Sequence, residues 1–289
     1  MPELMLQVGN VCLWLLSDGV SYWDGGGTFG LVGRSKWAKL LPPDEQNLVP
    51  QALRCALIEA DGRRVLVDCG VGDKPNELLA TQYDVRRPSG TLLDDLHRLG
   101  LSPEDVHLVV FTHLHGDHSG WATCLSGERL VPTFPHARYI VQRREFDDAM
   151  HPNERTRNTY FADNFAPLWD CGVLVLLDGP TQITPSIRVV PTPGHTAGHQ
   201  SLIVQPRGEP PIFLTGDLSP YMIHFVRLPW VTAYDVLPMQ TIDTKRHWQL
   251  WAFEQRAMVV NSHDVHMPVG RLIRNEKGFF SAQPLDAHT

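Results

Sequence analysis

Four ionisable side chains, His113, His115, Asp117 and His118, crowd into six positions of the segment VHLVVFTHLHGDHSGW (106–121), directly after a run of buried-type residues. Imidazoles and carboxylates gathered at the end of an apolar strand carry a large desolvation cost unless something occupies the space between them. If the strand continues through THLH, His113 and His115 point to the same side and can share one ion. Gly116 lets the chain turn and, with the β-type run before it, opposes a helix there. Asp117 and His118 then suit a second ion displaced from the first. A lone histidine here would read as a packed or surface residue; four candidate ligands together do not. Nitrogen and oxygen donors fit Zn²⁺ first, with Mn²⁺, Fe²⁺ and Co²⁺ also suited. No cysteine lies in the cluster, so it is not a thiolate-rich structural zinc site.

The same design recurs along the chain. TPGHTAGH puts His195 after a Pro-Gly turn, FLTGDLS puts Asp217 after an apolar run and a glycine, and VVNSHD puts His263 likewise. Apolar strand, turn, then one ligand-type residue is a pattern by which one edge of a layered fold can present all its ligands together.

The rest of the sequence is consistent with such a fold. Its 289 residues, 43% hydrophobic and 20% charged, suffice for a sizeable core. Residues 4–8 and 11–17 read as strands, and 18–50 as an irregular Gly- and Pro-rich arm on one domain spanning 1–289. LRCALIEADGRRVLVDCG reads as a hairpin turning at Asp61-Gly62. TLLDDLHRLG carries leucines at helical spacing and stops at Gly100. ARYIVQ is a strand, 142–170 a polar helical region, SIRVVP a strand, and SLIVQPRGEPPIFLTGD a second hairpin turning at 205–211. TIDTKRHWQLWAFEQ is a helix whose Trp248 and Trp251 belong to the core, and AMVVNSHD is the last strand. Strands in hairpins and crossovers with intervening helices predict layered sheets with helices outside.

Composition narrows the partners. A net charge of −7 without a run of Lys or Arg disfavours nucleic acid. Five cysteines without a CxxC spacing read as small buried hydrophobes rather than a disulfide framework. The apolar N-terminal stretch is broken by Gln7 and Asn10, lacks a basic leader and falls short of a membrane span. A cytoplasmic protein acting on a small molecule is expected, with no membrane partner.

The set His113-x-His115-x-Asp117-His118, His195, Asp217 and His263 resembles that of the metallo-β-lactamase superfamily, filling all seven of its ligand positions in order. The resemblance implies an αβ/βα sandwich with two divalent metal ions at the sheet edges. It places His113, His115 and His195 on one ion and Asp117, His118 and His263 on the other, with Asp217 bridging. It also makes Asp68 in LVDCG a support for the ligands. Two such ions can share a water, lower its pKa and supply a hydroxide that attacks an ester, lactone, thioester or phosphotriester.

Within the superfamily the pattern is most similar to the lactonase and organophosphate-hydrolase branch. Lactam-cleaving members usually carry Cys or another residue at the position of Asp217, and flavodiiron proteins carry Glu at that of His115. A glyoxalase II-like thioesterase shares the ligands but needs a helical C-terminal region. A persulfide-dioxygenase-like enzyme, using one iron, is the alternative from another class. By resemblance to acyl-homoserine lactonases, Asp117 and Tyr221 are the expected catalytic residues, and the arm implies a homodimer. For Tyr221 packing is the competing reading. His224, Trp230 and Tyr234 read as packing residues that can also line an apolar pocket, and Trp121 as structural.

Overall fold

In a computed structural model, residues 4–74 and 84–285 are described. Among them, one seven-stranded sheet has the order β1 (Leu4–Val8), β2 (Val11–Asp24), β3 (Leu48–Ala60), β4 (Arg63–Val67), β5 (Leu108–Val110), β8 (Arg138–Gln142), β9 (Leu174–Leu177). A small hairpin, β6 (Thr123–Ser126) and β7 (Arg129–Pro132), stands apart. The second seven-stranded sheet runs β10 (Thr181–Thr184), β11 (Ile187–Pro191), β12 (Gln200–Val204), β13 (Ile212–Leu214), β14 (Met258–Val260), β15 (Val269–Arg274), β16 (Phe280–Pro284). The crossovers β4–β5, β5–β8, β8–β9 and β13–β14 are parallel, and the remaining pairs are antiparallel.

The layering follows from strand alternation. In β4, Val65 and Val67 enter the core between the sheets while Leu66 faces the opposite way. In β13 and β14, Ile212, Leu214, Met258 and Val260 face inward, whereas Phe213 and Val259 face out. Both faces of these central strands are therefore apolar, because each sheet has a neighbour on both sides. Outside the first sheet lie Leu92 and Leu96 of the helix Leu92–Arg98, with Phe146, Phe165 and Leu168. Outside the second lie Ala252, Trp248 and Trp251 of the helix Pro238–Glu254. The result is the expected αβ/βα sandwich.

Local signals explain the boundaries that were legible. Asp61 and Gly62 both have positive φ, 54° and 69°, as a two-residue hairpin turn requires. A capping box of Thr91 and Asp94 starts the helix at Leu92.

Three expectations are corrected. The arm is not irregular throughout: β2 continues to Asp24 across a bulge between Ser17 and Val20, and pairs with the start of β3. Gly19 (φ 114°) permits that bulge, and a Cβ there would lie 2.7 Å from the Arg86 carbonyl oxygen. Two short helices, Gly25–Phe29 and Arg34–Trp37, fill the middle of the arm. The strand before His263 is not the last, since β15 and β16 extend the sheet. Of the cysteines only Cys55 and Cys69 are buried; Cys12 and Cys124 are half-buried and Cys171 is exposed. No described helix is long and apolar enough to cross a membrane.

Candidate metal centre

All seven expected ligands follow strand ends at one edge of the sandwich. His113 and His115 leave the end of β5, His195 follows β11, Asp217 follows β13 and His263 follows β14. Against expectation, a single helical turn, Gly116–Ser119, begins at Gly116, and it carries Asp117 and His118 back towards the cluster. Every one of the seven is buried. Their ligand atoms fall into the sets His113, His115, His195 and Asp117, His118, His263, with a third set, His113, His118, Asp217, spanning the two.

Hydrogen bonds outside the cluster orient four of the imidazoles. His118 Nδ1 donates to Asp68 Oδ2 at 2.9 Å, and His195 Nδ1 to Asp235 Oδ1 at 3.0 Å. His263 Nδ1 donates to the Ala52 carbonyl at 2.6 Å. His113 Nδ1 donates to Thr112 Oγ1 at 3.0 Å, and that hydroxyl donates to Asp68 at 2.8 Å. With Nδ1 directed at these acceptors, each ring turns its Nε2 inward.

The inward nitrogens lie close together. His113 Nε2 and His195 Nε2 are 3.0 and 3.1 Å from His115 Nδ1, and His118 Nε2 is 3.1 Å from His263 Nε2. Nitrogens bound tetrahedrally to one zinc at its usual distance sit about 3.3 Å apart, so these spacings fit shared cations. Asp217 spans the two sets. Its Oδ1 lies 3.1 Å from His263 Nε2 and 3.5 Å from His118 Nε2, while Oδ2 lies 3.4 Å from His195 Nε2. Oδ1 is buried without a hydrogen-bond partner, as suits an atom that binds metal.

The electrostatics agree with a site for positive charge. Burial pushes the Asp217 carboxyl up, but His263 and His118 outweigh it and hold the group well below the usual range. Burial pushes His118 down, yet Asp217, Asp117 and Asp68 together raise it well above the ordinary imidazole value. Burial and the neighbouring imidazoles hold His113 and His115 well below the ordinary imidazole value, the direction that favours the neutral, metal-binding form.

The backbone is shaped to the cluster. Gly216 has φ 53°, and a Cβ there would meet His199 Nε2 and Thr112 Cβ at 2.8 Å, so the turn presenting Asp217 requires glycine. The Asp217 backbone N–H donates to His199 Nε2 at 3.0 Å. Sequence reading assigned no role to His199, Thr112 or Asp235. His199 stands in the quoted TPGHTAGH, whereas Asp235 acts across 40 residues and carries no local signal. Asp68 supports the cluster as expected. Replacing Asp235 by Asn removes the acceptor charge that orients His195, and a 10–100-fold loss of metal affinity is expected in competitive chelator titration. Unchanged affinity would deny Asp235 that role.

Above the ligands a cleft opens. Its floor includes His115, Asp117, His195 and Asp217, and its walls include Trp23, Thr28, Gln51, Thr232 and Tyr234. Trp23 and Tyr234 meet edge to face, with centroids 5.2 Å apart. Of the two expected catalytic residues, Asp117 lies in this cleft and Tyr221 does not. Past the turn Gly216–Leu218 and Pro220, Tyr221 is buried at the start of the helix Met222–Val226, where its hydroxyl donates to the Pro50 carbonyl at 2.9 Å. Phe29 packs beside it, and His224 and Trp230 pack on Phe29 in turn. In this structure Tyr221 packs away from the cleft, and only Tyr234 of that segment's aromatics lines it. Tyr221→Phe is expected to cost about 1 kcal/mol of stability in urea unfolding and to leave kcat nearly unchanged; a large fall in kcat would return Tyr221 to the chemistry. Trp121 is structural as expected, its indole N–H donating to Asp18 at 2.8 Å.

Paired sheets covered by helices, with a His/Asp cluster at one edge, are the arrangement of a metal-dependent enzyme. The chain belongs to the metallo-β-lactamase superfamily, whose family model matches residues 54–253. It is 30% identical over 198 residues to an N-acyl homoserine lactonase from a Bacillus species, covering 65% of this chain and 72% of that one. The N-acyl homoserine lactonase AttM of Rhizobium radiobacter is 32% identical over 187 residues, covering 60% and 63%. Among solved structures, a probable metal-dependent hydrolase from Staphylococcus aureus superposes with a TM-score of 0.87 at 26% identity, covering 97% of this chain and 99% of that one. AidC, a dizinc quorum-quenching lactonase, shares the fold at 20% identity with a TM-score of 0.78, covering 98% and 97%.

Proposed function

We propose that this chain hydrolyses a neutral lactone or similar ester with two divalent metal ions, zinc by preference. His113, His115 and His195 would hold one ion and Asp117, His118 and His263 the other, with Asp217 placed to serve both. The observation that carries this reading is Asp217, whose two carboxylate oxygens face different ligand sets, one of them without a hydrogen-bond partner. Two ions held there would supply a water of lowered pKa and polarise a substrate carbonyl. Asp117, at the cleft floor, takes the proton released in the attack and returns it to the leaving oxygen.

The walls support an uncharged substrate. No Lys or Arg is among the described residues lining the cleft, and Trp23 and Tyr234 offer apolar ring faces with hydroxyls nearby. The lactonases among the relatives support a lactone over the other esters. Five free cysteines suit a reducing cytoplasm, and Leu31 and Leu40, exposed on the arm, suit a homodimer. The test is acid release from lactones, aryl esters and phosphotriesters by zinc-loaded protein, before and after chelation. Lactones are expected to turn over fastest, chelation to abolish turnover and zinc to restore it, without oxygen uptake. Oxygen consumption with a persulfide, or chelator-insensitive hydrolysis, would overturn the proposal.

A further inference from the structure

We infer that Glu145 is a positioning residue for one metal ion of the pair, the ion of His113, His115 and His195, an inference that rests on the two-ion reading above. Glu145 lies in the first turn of the helix Arg143–Met150 and is fully buried. Its Oε1 accepts from the Leu114 N–H and the Tyr160 hydroxyl, each at 3.0 Å, and its Oε2 accepts from the Thr196 hydroxyl.

Each donor is tied to a ligand of that one set. Leu114 stands between His113 and His115. Thr196 follows His195. The Tyr160 ring packs on His115 with centroids 4.9 Å apart, and the two residues also form a backbone bridge. The loop after His195 presses on the same helix: a Cβ on Gly198 would sit 2.2 Å from the Glu145 nitrogen. One carboxylate therefore fixes the spacing of two loops that approach from different sheets. In the other ligand set His118 is oriented by Asp68 and His263 by the Ala52 carbonyl, neither of which bonds to Glu145.

Loss of Glu145 is thus expected to weaken one ion and spare the other. The probe is zinc, with stepwise dissociation constants measured against a chromophoric chelator for the wild type, Glu145→Ala, Glu145→Gln and Tyr160→Phe. In Glu145→Ala one constant rises about 10–100-fold and the other is unchanged. Glu145→Gln, which keeps an acceptor for Leu114 and Tyr160, recovers most of the loss. Tyr160→Phe, which removes a single hydrogen bond, shifts the same constant by less and keeps the test open if Glu145→Ala does not fold. In zinc buffered so that Glu145→Ala holds one ion, adding His195→Ala leaves that ion in place, whereas adding His263→Ala removes it.

Equal weakening of both ions, no change in either, or a Gln variant as impaired as the Ala variant overturns the inference. A wild type that binds two zinc ions alongside an unaffected Glu145→Ala overturns the role of Glu145 alone. A wild type that never binds a second zinc overturns the two-ion reading and this inference with it.

Discussion

Replacing Asp217 by Ala lowers kcat/KM by about 10³-fold and leaves the protein with fewer than two metal ions per chain. The size follows from its position. Losing one preorganised electrostatic group at a reacting centre typically costs 10²–10³-fold, and Asp217 faces both ligand sets. Without it, the inward nitrogens of His118, His195 and His263 lose the carboxylate they share, so charge on the metals is balanced less well. Steady-state kinetics and elemental analysis of the same preparation check this together. Activity within tenfold of the wild type, with two ions retained, would remove Asp217 from its bridging role.

The largest expected effect on stability belongs to Asp68→Ala. The Asp68 carboxylate accepts three buried hydrogen bonds: from the Thr112 N–H at 2.7 Å, the Thr112 hydroxyl at 2.8 Å and His118 Nδ1 at 2.9 Å. Each orphaned buried donor costs about 1–3 kcal/mol, so a loss of about 3–5 kcal/mol is expected in urea unfolding. Backbone geometry adds to it. Asp68 has φ 60°, a left-handed conformation that Asp and Asn tolerate better than Ala does. Asp68→Asn therefore falls between the wild type and Asp68→Ala. Equal stability of the Asn and Ala variants would show that neither the backbone nor the hydrogen bonds at this corner matter as described.

How much was legible in the sequence depended on how local the physics was. The clustering of the candidate ligands was legible because His195, Asp217 and His263 each follow an apolar run, and strand ends in a sandwich converge on one edge. The hairpin at Asp61-Gly62 was legible because the turn needs two residues of positive φ, which this pair supplies. The continuation of β2 was hidden because Asp18-Gly19 looks like a stop, while in the fold it is a bulge with the Asp18 carboxylate gathering the backbone N–H groups of Val71, Gly72 and Leu92. The strand β15 was hidden by its mixed composition, with Arg271 and Arg274 among buried residues, and β16 by its exposure at the sheet's edge. The packed position of Tyr221 was not legible because its offset from Asp217 does not determine where a side chain points once Pro220 has turned the chain. Asp235 and Glu145 were invisible for a related reason: each reaches a ligand loop that only the tertiary fold brings near.

Metal content tests the central claim most directly. The purified protein, reconstituted with zinc and freed of excess metal, is measured by mass spectrometry against protein concentration. Two equivalents per chain, falling to one or none in Asp217→Ala, is the result that the facing ligand sets predict. A single equivalent that Asp217→Ala leaves untouched would contradict the bridged pair of ions and the hydrolytic chemistry built on it.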